Sequence, residues 1–462
     1  MRIRGSLTKG LLIALALTLI PVSAISAQKI TPGKTCKVLN QKVVYQNKTF
    51  ICIKSGKKLF WNKGIAVKKP TPTPTPTPTP ITQPQPPVAT SNISNLGSYL
   101  NVASCKLVNG SNQIRVNQSF QLNPFRVRNT QPIRALIFPI DFPDLIGDSD
   151  PQKDFAYVAD WVTEYYKQMS EGKSVINWTI YPKFVRYGTN VSDANLGGRT
   201  TSGYGAFSQE AMRLAIKTLD ATEFDLIVYA PPLKTSRNQI AIGPAFISNG
   251  PTEKNATMLD GQSYDMKIPY TTAHEIGHLM GLADLYNFNA ANEAAAGGGK
   301  NANDLQFKYM GIFDLMNWAG GSGVELTAWN RWLIDLISDD QIRCLPATAT
   351  TTLLSPVEVS GGVKGAVIQL STTEAIVIES RRALRYDKNL EKSAEGVLIY
   401  KVNTSIASGS GPMRVVGRPE STDIWFRDAP LKLNESRIVD GYTIKVIESG
   451  AFGDVIEVSK NQ

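Results

Sequence analysis

HEIGHLMGLADLY, residues 274 to 286, decides how the rest of this chain is read. The 462 residues contain 2 histidines, and both fall here, His274 and His278, with Glu275 directly after the first. In a helix, residues four apart share a face with their side chains one turn apart, so two imidazoles at this spacing can hold one metal ion. A catalytic zinc takes three protein ligands at about 2.0 to 2.2 Å and leaves a fourth position for water. Gly281 suits a left-handed helix end, which would fold the chain back and let Asp284 offer a carboxylate oxygen as third ligand. Glu275 is left off the metal, where its carboxylate can take a proton from a zinc-activated water and pass it to a leaving amine. Two plainer readings stand beside this one. Thr272 and Glu275 have capping-box spacing, which would confine Glu275 to starting a helix, and Asp284 is of a residue type common in turns.

HExxHxxGxxD followed by a Met-bearing turn resembles the metzincin-type zinc peptidases, and in particular the M6 (immune inhibitor A-like) secreted metalloproteases, where Asp stands in the third ligand place. FDLMNW, Phe313 to Trp318, is similar to that family's Met-turn. The resemblance implies that Met316 forms an apolar floor beneath the zinc, whereas by itself Met316 reads as a core methionine. Weaker likenesses cover residues 134 to 405: the opening strand with FPD, the closing helix VELTAWNRWLIDLI, and AIVIESRR followed by EGVLIYKVN. The family's fold and activity are implied with them, namely an α/β (α+β) metzincin-like domain that hydrolyses peptide bonds. The Asn-, Ala- and Gly-rich stretch from 287 to 306 departs from a compact pattern and reads as a functional or mobile loop.

At the front, Arg2, Arg4 and Lys9 precede an apolar run from Leu11 to Ile20, the layout of a secretory signal peptide over residues 1–27. A membrane span takes about 20 apolar residues, and neither this run nor any later segment reaches that. The expected location is outside the cell or at its wall. Residues 28–69 hold 11 lysines and no acid, with Cys36 and Cys52 bracketing a hairpin-like stretch. Such a module has too small a core without a staple, so a Cys36–Cys52 disulfide is expected in an oxidising compartment, and Cys105 with Cys344 form the second pair. Its charge is either a solvated surface or a means of attraction to an anionic cell-envelope polymer. Residues 70–90, with TPTPTPTPTP from Thr71 to Pro80, form an extended polyproline spacer. Of the 49 basic residues 19 precede Asp141, whereas none of the 39 acids does, so the net charge of +10 belongs to the front. No nucleic-acid partner is implied for the main domain.

Residues 91–133 are polar and acid-free, a pro-segment or an N-terminal wrap of the peptidase domain at 134–345. RALIFPIDF, from Arg134, reads as a strand buried on both faces. Phe155, Val158, Trp161, Val162, Tyr165 and Met169 recur at helical spacing, residues 175–185 and 224–230 are strand-like, and 208–219 are helical. The turn from Asp141 to Asp154 offers 5 carboxylates, which suit Ca2+ although they fit no EF-hand spacing; a solvated turn is the other reading. VELTAWNRWLIDLI is expected to be one amphipathic helix with Leu326, Trp329, Trp332, Leu333 and Leu336 inward. From 346 to 462 short β-rich runs alternate with Gly and Ser turns, the pattern of a β-sandwich. The expected function is a secreted zinc-dependent endopeptidase acting on protein or peptide substrates. The other class is a non-catalytic cell-envelope-associated binding protein that keeps a structural metal.

Overall fold

The computed structural model describes residues 31–45, 48–66, 91, 97–196, 203–236, 238–240, 244–249, 252–258, 269–297 and 301–461. The expected signal peptide and the proline spacer lie outside them. The chain divides into two compact units, Met1–Gln85 and Pro86–Gln462.

The first unit is an antiparallel sheet in which Lys48–Ser55 (β2) pairs with Lys42–Tyr45 (β1), Lys58–Trp61 (β3) and Ile65–Ala66 (β4). Its buried apolar side chains among the described residues are Phe50 and Cys52. So small a core needs the Cys36–Cys52 disulfide, which is present as expected.

In the second unit, Ile133–Asp141 (β5) lies between Ile176–Ile180 (β6) and Leu226–Ala230 (β8), both parallel to it, and also pairs with Val185–Arg186 (β7). Thr252–Met258 (β10) continues the sheet parallel to β8, and Pro244–Asn249 (β9) closes it antiparallel to β10. The near-continuous apolar runs of β5 and β8 follow from cover on both faces. Ile133, Ala135, Ile137, Leu226, Val228 and Ala230 point into one core with the helices Pro151–Met169 (α1) and, further on, Tyr270–Met280 (α4). Leu136, Phe138, Ile140, Ile227 and Tyr229 point the other way, onto Val191–Ala194 (α2) and Gly203–Leu219 (α3). Alternation by two along each strand sorts the residues between the two cores. The hydroxyl of Tyr166 on α1 donates to the Ala273 carbonyl of α4 at 2.6 Å, joining the two helices on the shared face.

The stretch from 287 to 306 holds two short helices, Ala290–Ala296 (α5) and Ala302–Gln306 (α6), where a loop was expected. Conversely, the helix expected over 324–337 spans only Ala328–Leu333 (α7). Thr327 caps its start, and Asp335 at φ 63° ends it, with the Leu336 amide donating back to the Arg331 carbonyl at 2.9 Å. The five apolar residues assigned inward are buried nonetheless.

Beyond α7, Ile342–Cys344 (β11), Gly365–Gln369 (β13), Glu374–Arg381 (β14), Gly396–Asn403 (β15) and Met413–Val415 (β16) form one sheet. Thr350–Leu354 (β12), Ser436–Val439 (β17), Tyr442–Gly450 (β18) and Gly453–Lys460 (β19) form another, in the order β12-β19-β18-β17. Ile376 and Ile378 of β14 face a core shared with Ile444, Val446, Ile456 and Val458 of the second sheet. Ala375 and Val377, one residue along, belong instead to the core that holds α1 and α4. The five-stranded sheet is thus double-faced, and the apolar interior runs without a gap across residue 346. Residues 97–132 belong to this unit: Cys105 is bonded to Cys344, the Val127 amide donates to the Leu279 carbonyl at 2.9 Å, and the Asn117 amide to that of Gly281 at 3.2 Å. Among the described residues no helix is long and apolar enough to cross a membrane.

Candidate metal centre

Helix α4 starts after Pro269 without a side-chain cap, so Thr272 and Glu275 both lie inside it and the capping-box role does not arise. It ends at Gly281, whose φ of 113° is open to glycine and strained for a side chain. There the amides of Gly281 and Leu282 donate to the carbonyls of His278 and Gly277, each at 3.0 Å. This is the left-handed stop that the sequence predicts, and it turns the chain back toward the helix face bearing the histidines.

The two imidazoles are aimed by backbone carbonyls. His274 Nδ1 lies 2.9 Å from the Leu315 oxygen, and His278 Nδ1 lies 2.7 Å from that of Leu282. A carbonyl can only accept, so Nδ1 carries the proton in each ring, and Nε2 is the atom presented to a metal. Asp284 Oδ1 stands 3.1 Å from His274 Nε2 and 3.3 Å from His278 Nε2. Ligand atoms on a tetrahedral zinc at about 2.0 to 2.1 Å lie roughly 3.3 to 3.4 Å from each other. The donor set and its spacing therefore fit a zinc ion. Ligating atoms of His274, Glu275 and His278 also fall within 4.8 Å of one another, which keeps the Glu275 carboxylate beside the same point. All four residues are buried, at 5% exposure for His274, 3% for Glu275, 3% for His278 and 9% for Asp284.

In the metal-free protein these groups act on one another. Burial opposes a charge on His278, yet the Asp284 carboxylate, through its charge and its hydrogen bond, and then the charge of Glu275 hold the pKa up to about 9. Burial would likewise raise Asp284, but the His278 charge and the hydrogen bonds of both imidazoles keep its carboxyl well below the usual range.

Met316 is fully buried against the same helix: a Cβ added to Gly277 would lie 2.8 Å from the Met316 sulfur. The turn that carries it also supplies the Leu315 carbonyl to His274, and the Met316 carbonyl accepts from the Leu285 amide at 3.0 Å. Sequence reasoning missed the residue that shapes this turn. Asp314, buried at φ 72°, accepts from the Met316 amide at 2.8 Å, the Thr327 amide at 2.8 Å and the Asn330 side chain at 2.9 Å. An Asp two residues before Met316 was the available signal, since Asp tolerates left-handed backbone and accepts from the amide two residues on.

The carboxylates from Asp141 to Asp154, read as a Ca2+ site or a solvated turn, do not converge on one point. Asp141 takes the Arg186 guanidinium at 2.7 and 2.8 Å, Asp144 accepts from the Val191 amide at 2.7 Å, and Asp150 caps α1 through the Gln152 amide at 3.1 Å. Asp148 faces Lys234 at 3.5 Å, and Asp154 accepts from the Ser149 hydroxyl. Each carboxylate has a separate partner, so none is left to converge on an ion. Among the described residues, the group of such side chains at metal-holding distances includes His274, Glu275 and His278, and none of these aspartates joins it.

No family model matches this chain, and no curated protein matches it. Among solved structures, it is similar to metalloproteinase-II from Bacteroides fragilis at 19% identity, over 47% of this chain and 59% of that one, with a TM-score of 0.26. It is also similar to catalytically inactive OgpA from Akkermansia muciniphila, solved with an O-glycopeptide substrate, at 12% identity, over 71% of this chain and 92% of that one, with a TM-score of 0.24. The chain thus spans less than two thirds of the Bacteroides protein.

Proposed function

We propose that this protein is a secreted zinc-dependent endopeptidase of the M6 (immune inhibitor A-like) type. In this reading residues 134–345 form a metzincin-like catalytic domain and residues 346–462 a β-sandwich built onto it. Its substrate is a protein or peptide, and the lysine-rich unit at 28–69 attaches it to an anionic cell-envelope polymer. One observation carries the catalytic reading: His274 Nε2, His278 Nε2 and Asp284 Oδ1 meet at zinc-ligand spacing with the Glu275 carboxylate beside them.

When bound, zinc supplies Lewis acidity toward the scissile carbonyl and toward water. His274, His278 and Asp284 hold the ion, and the carbonyls of Leu315 and Leu282 keep each imidazole in the tautomer that presents Nε2. Glu275 accepts a proton on its carboxylate and returns it to the leaving amine. Met316 and the apolar residues around α4 exclude water from beneath the site, which strengthens each charge interaction in it.

Glu275→Gln tests this, because it keeps the side chain's size and leaves the three ligands in place. Zinc stoichiometry and thermal unfolding should stay as in the unaltered protein, while peptide hydrolysis falls by about 1,000- to 10,000-fold, the upper range of general-base assistance. Comparable hydrolysis by both forms removes Glu275 from the mechanism. An unaltered protein that binds zinc and cleaves no protein substrate would favour the non-catalytic binding class.

A further inference from the structure

Resting on the zinc-peptidase reading, we propose that Ser408 and Gln113 are positioning residues for Asp284, forming a strap that sets the third metal ligand from outside the HExxH motif. Residues 282–285 lie in no helix or strand, so nothing periodic holds the Asp284 backbone where its carboxylate must reach two imidazoles. The loop between β15 and β16 does so instead. The Asp284 amide donates to Ser408 Oγ at 2.8 Å, and the Gly409 amide donates to the Asp284 carbonyl at 2.9 Å. Both backbone polar groups of Asp284 are thereby taken by two consecutive residues, the first of them 124 positions along the chain. The same loop continues the contact, since the Phe288 amide donates to the Gly409 carbonyl at 2.9 Å.

This approach requires glycine at 409. Its φ is 76°, and a Cβ there would lie 2.1 Å from the Phe288 ring. Ser408 is held in turn: its amide donates to Gln113 Oε1 at 2.7 Å. The Gln113 carbonyl accepts from the side chains of Asn109 at 2.9 Å and Asn117 at 3.3 Å, and the Asn117 amide reaches the Gly281 carbonyl at 3.2 Å. The short turn from Gly281 to Asp284 is thus gripped at both ends, at one by Asn117 and at the other by Ser408, with Gln113 joining the two grips. Three stretches far apart in sequence fix one carboxylate, and a shift of that loop would move Asp284 Oδ1 away from the Nε2 atoms without touching either histidine.

The test measures zinc affinity of the full chain by competition with a chromophoric chelator, with thermal unfolding of the metal-free forms as a folding control. Ser408→Ala should weaken zinc binding about tenfold, the lower end of what loss of a supporting partner costs. Ser408→Thr, which keeps the hydroxyl, should stay within about twofold, and Gln113→Ala should move in the same direction as Ser408→Ala. In an Asp284→Ala background, Ser408→Ala should add nothing, because the group it positions is gone. Unchanged affinity in Ser408→Ala, or a tenfold loss that persists without Asp284, overturns the strap while leaving the peptidase reading intact. An unaltered protein that binds no zinc overturns the reading, and the strap with it.

Discussion

Removing the metal and raising the pH should unfold this site from within. In the metal-free protein His278 keeps a proton up to about pH 9, against 6.5 in the unfolded chain, because the Asp284 carboxylate outweighs the burial that opposes it. A group whose folded pKa is raised lends stability that is complete below its unfolded value and disappears as the pH climbs through its folded value. The interval from 6.5 to about 9 corresponds to roughly 3 kcal/mol. Asp284, with its pKa depressed, contributes in the opposite sense: its share is present above the ordinary carboxylate range and is lost only in acid, outside this interval. The chelated protein should therefore lose roughly 3 kcal/mol between about pH 6.5 and 9 in urea unfolding, and His278→Gln should abolish that slope. Zinc must displace the same proton from Nε2, so its apparent affinity should rise about tenfold per pH unit up to about pH 9. Metal-free stability that stays flat through this range, or a zinc affinity indifferent to pH, refutes the pairing of His278 with Asp284.

Asp284→Ala should lower bound zinc in metal analysis of the purified protein, since two histidines alone do not make a three-ligand site; full stoichiometry with normal affinity would move the third ligand elsewhere. Asp314→Ala strands three buried donors, at Met316, Thr327 and Asn330, and should cost about 3 kcal/mol or more in denaturant unfolding, whereas a loss under about 1 kcal/mol would deny Asp314 its part in the turn. The full chain should bind dextran sulfate with an affinity that falls as salt rises, and deletion of residues 28–69 should remove that binding and spare hydrolysis. Binding that survives the deletion would locate the anion site in the main unit.

What could be read in advance were the features set by neighbours in sequence. The helix of His274 and His278, its stop at Gly281, the reach of Asp284 to both rings, the strands at β5 and β8 and the pairing of four cysteines all follow from local spacing or from chemistry with few alternatives. The errors fall where distant contacts override a local pattern. Periodicity extended α7 beyond Leu333, but Asp335 adopts left-handed backbone and the chain turns while its apolar residues stay buried. The turn from Asp141 to Asp154 stayed open between a calcium site and a solvated turn because three of its carboxylates find partners, Arg186, Val191 and Lys234, that lie 45 or more residues away. Ser408 and Gln113 gave no signal at all, for nothing near either residue in sequence hints at Asp284.

The bond between Cys105 and Cys344, 239 residues apart, closes a covalent ring that contains the main parallel sheet, the HExxH helix and the turn at Met316. A ring survives any single nick. A protease that clips once between these cysteines leaves both pieces joined, and they come apart on a gel only after reduction. A cut between residue 70 and Cys105, by contrast, sheds the lysine-rich unit outright and leaves the chain from Cys105 onward tied to Cys344. Processing of the front end and damage to the centre are therefore distinguishable by one pair of lanes, with and without reductant.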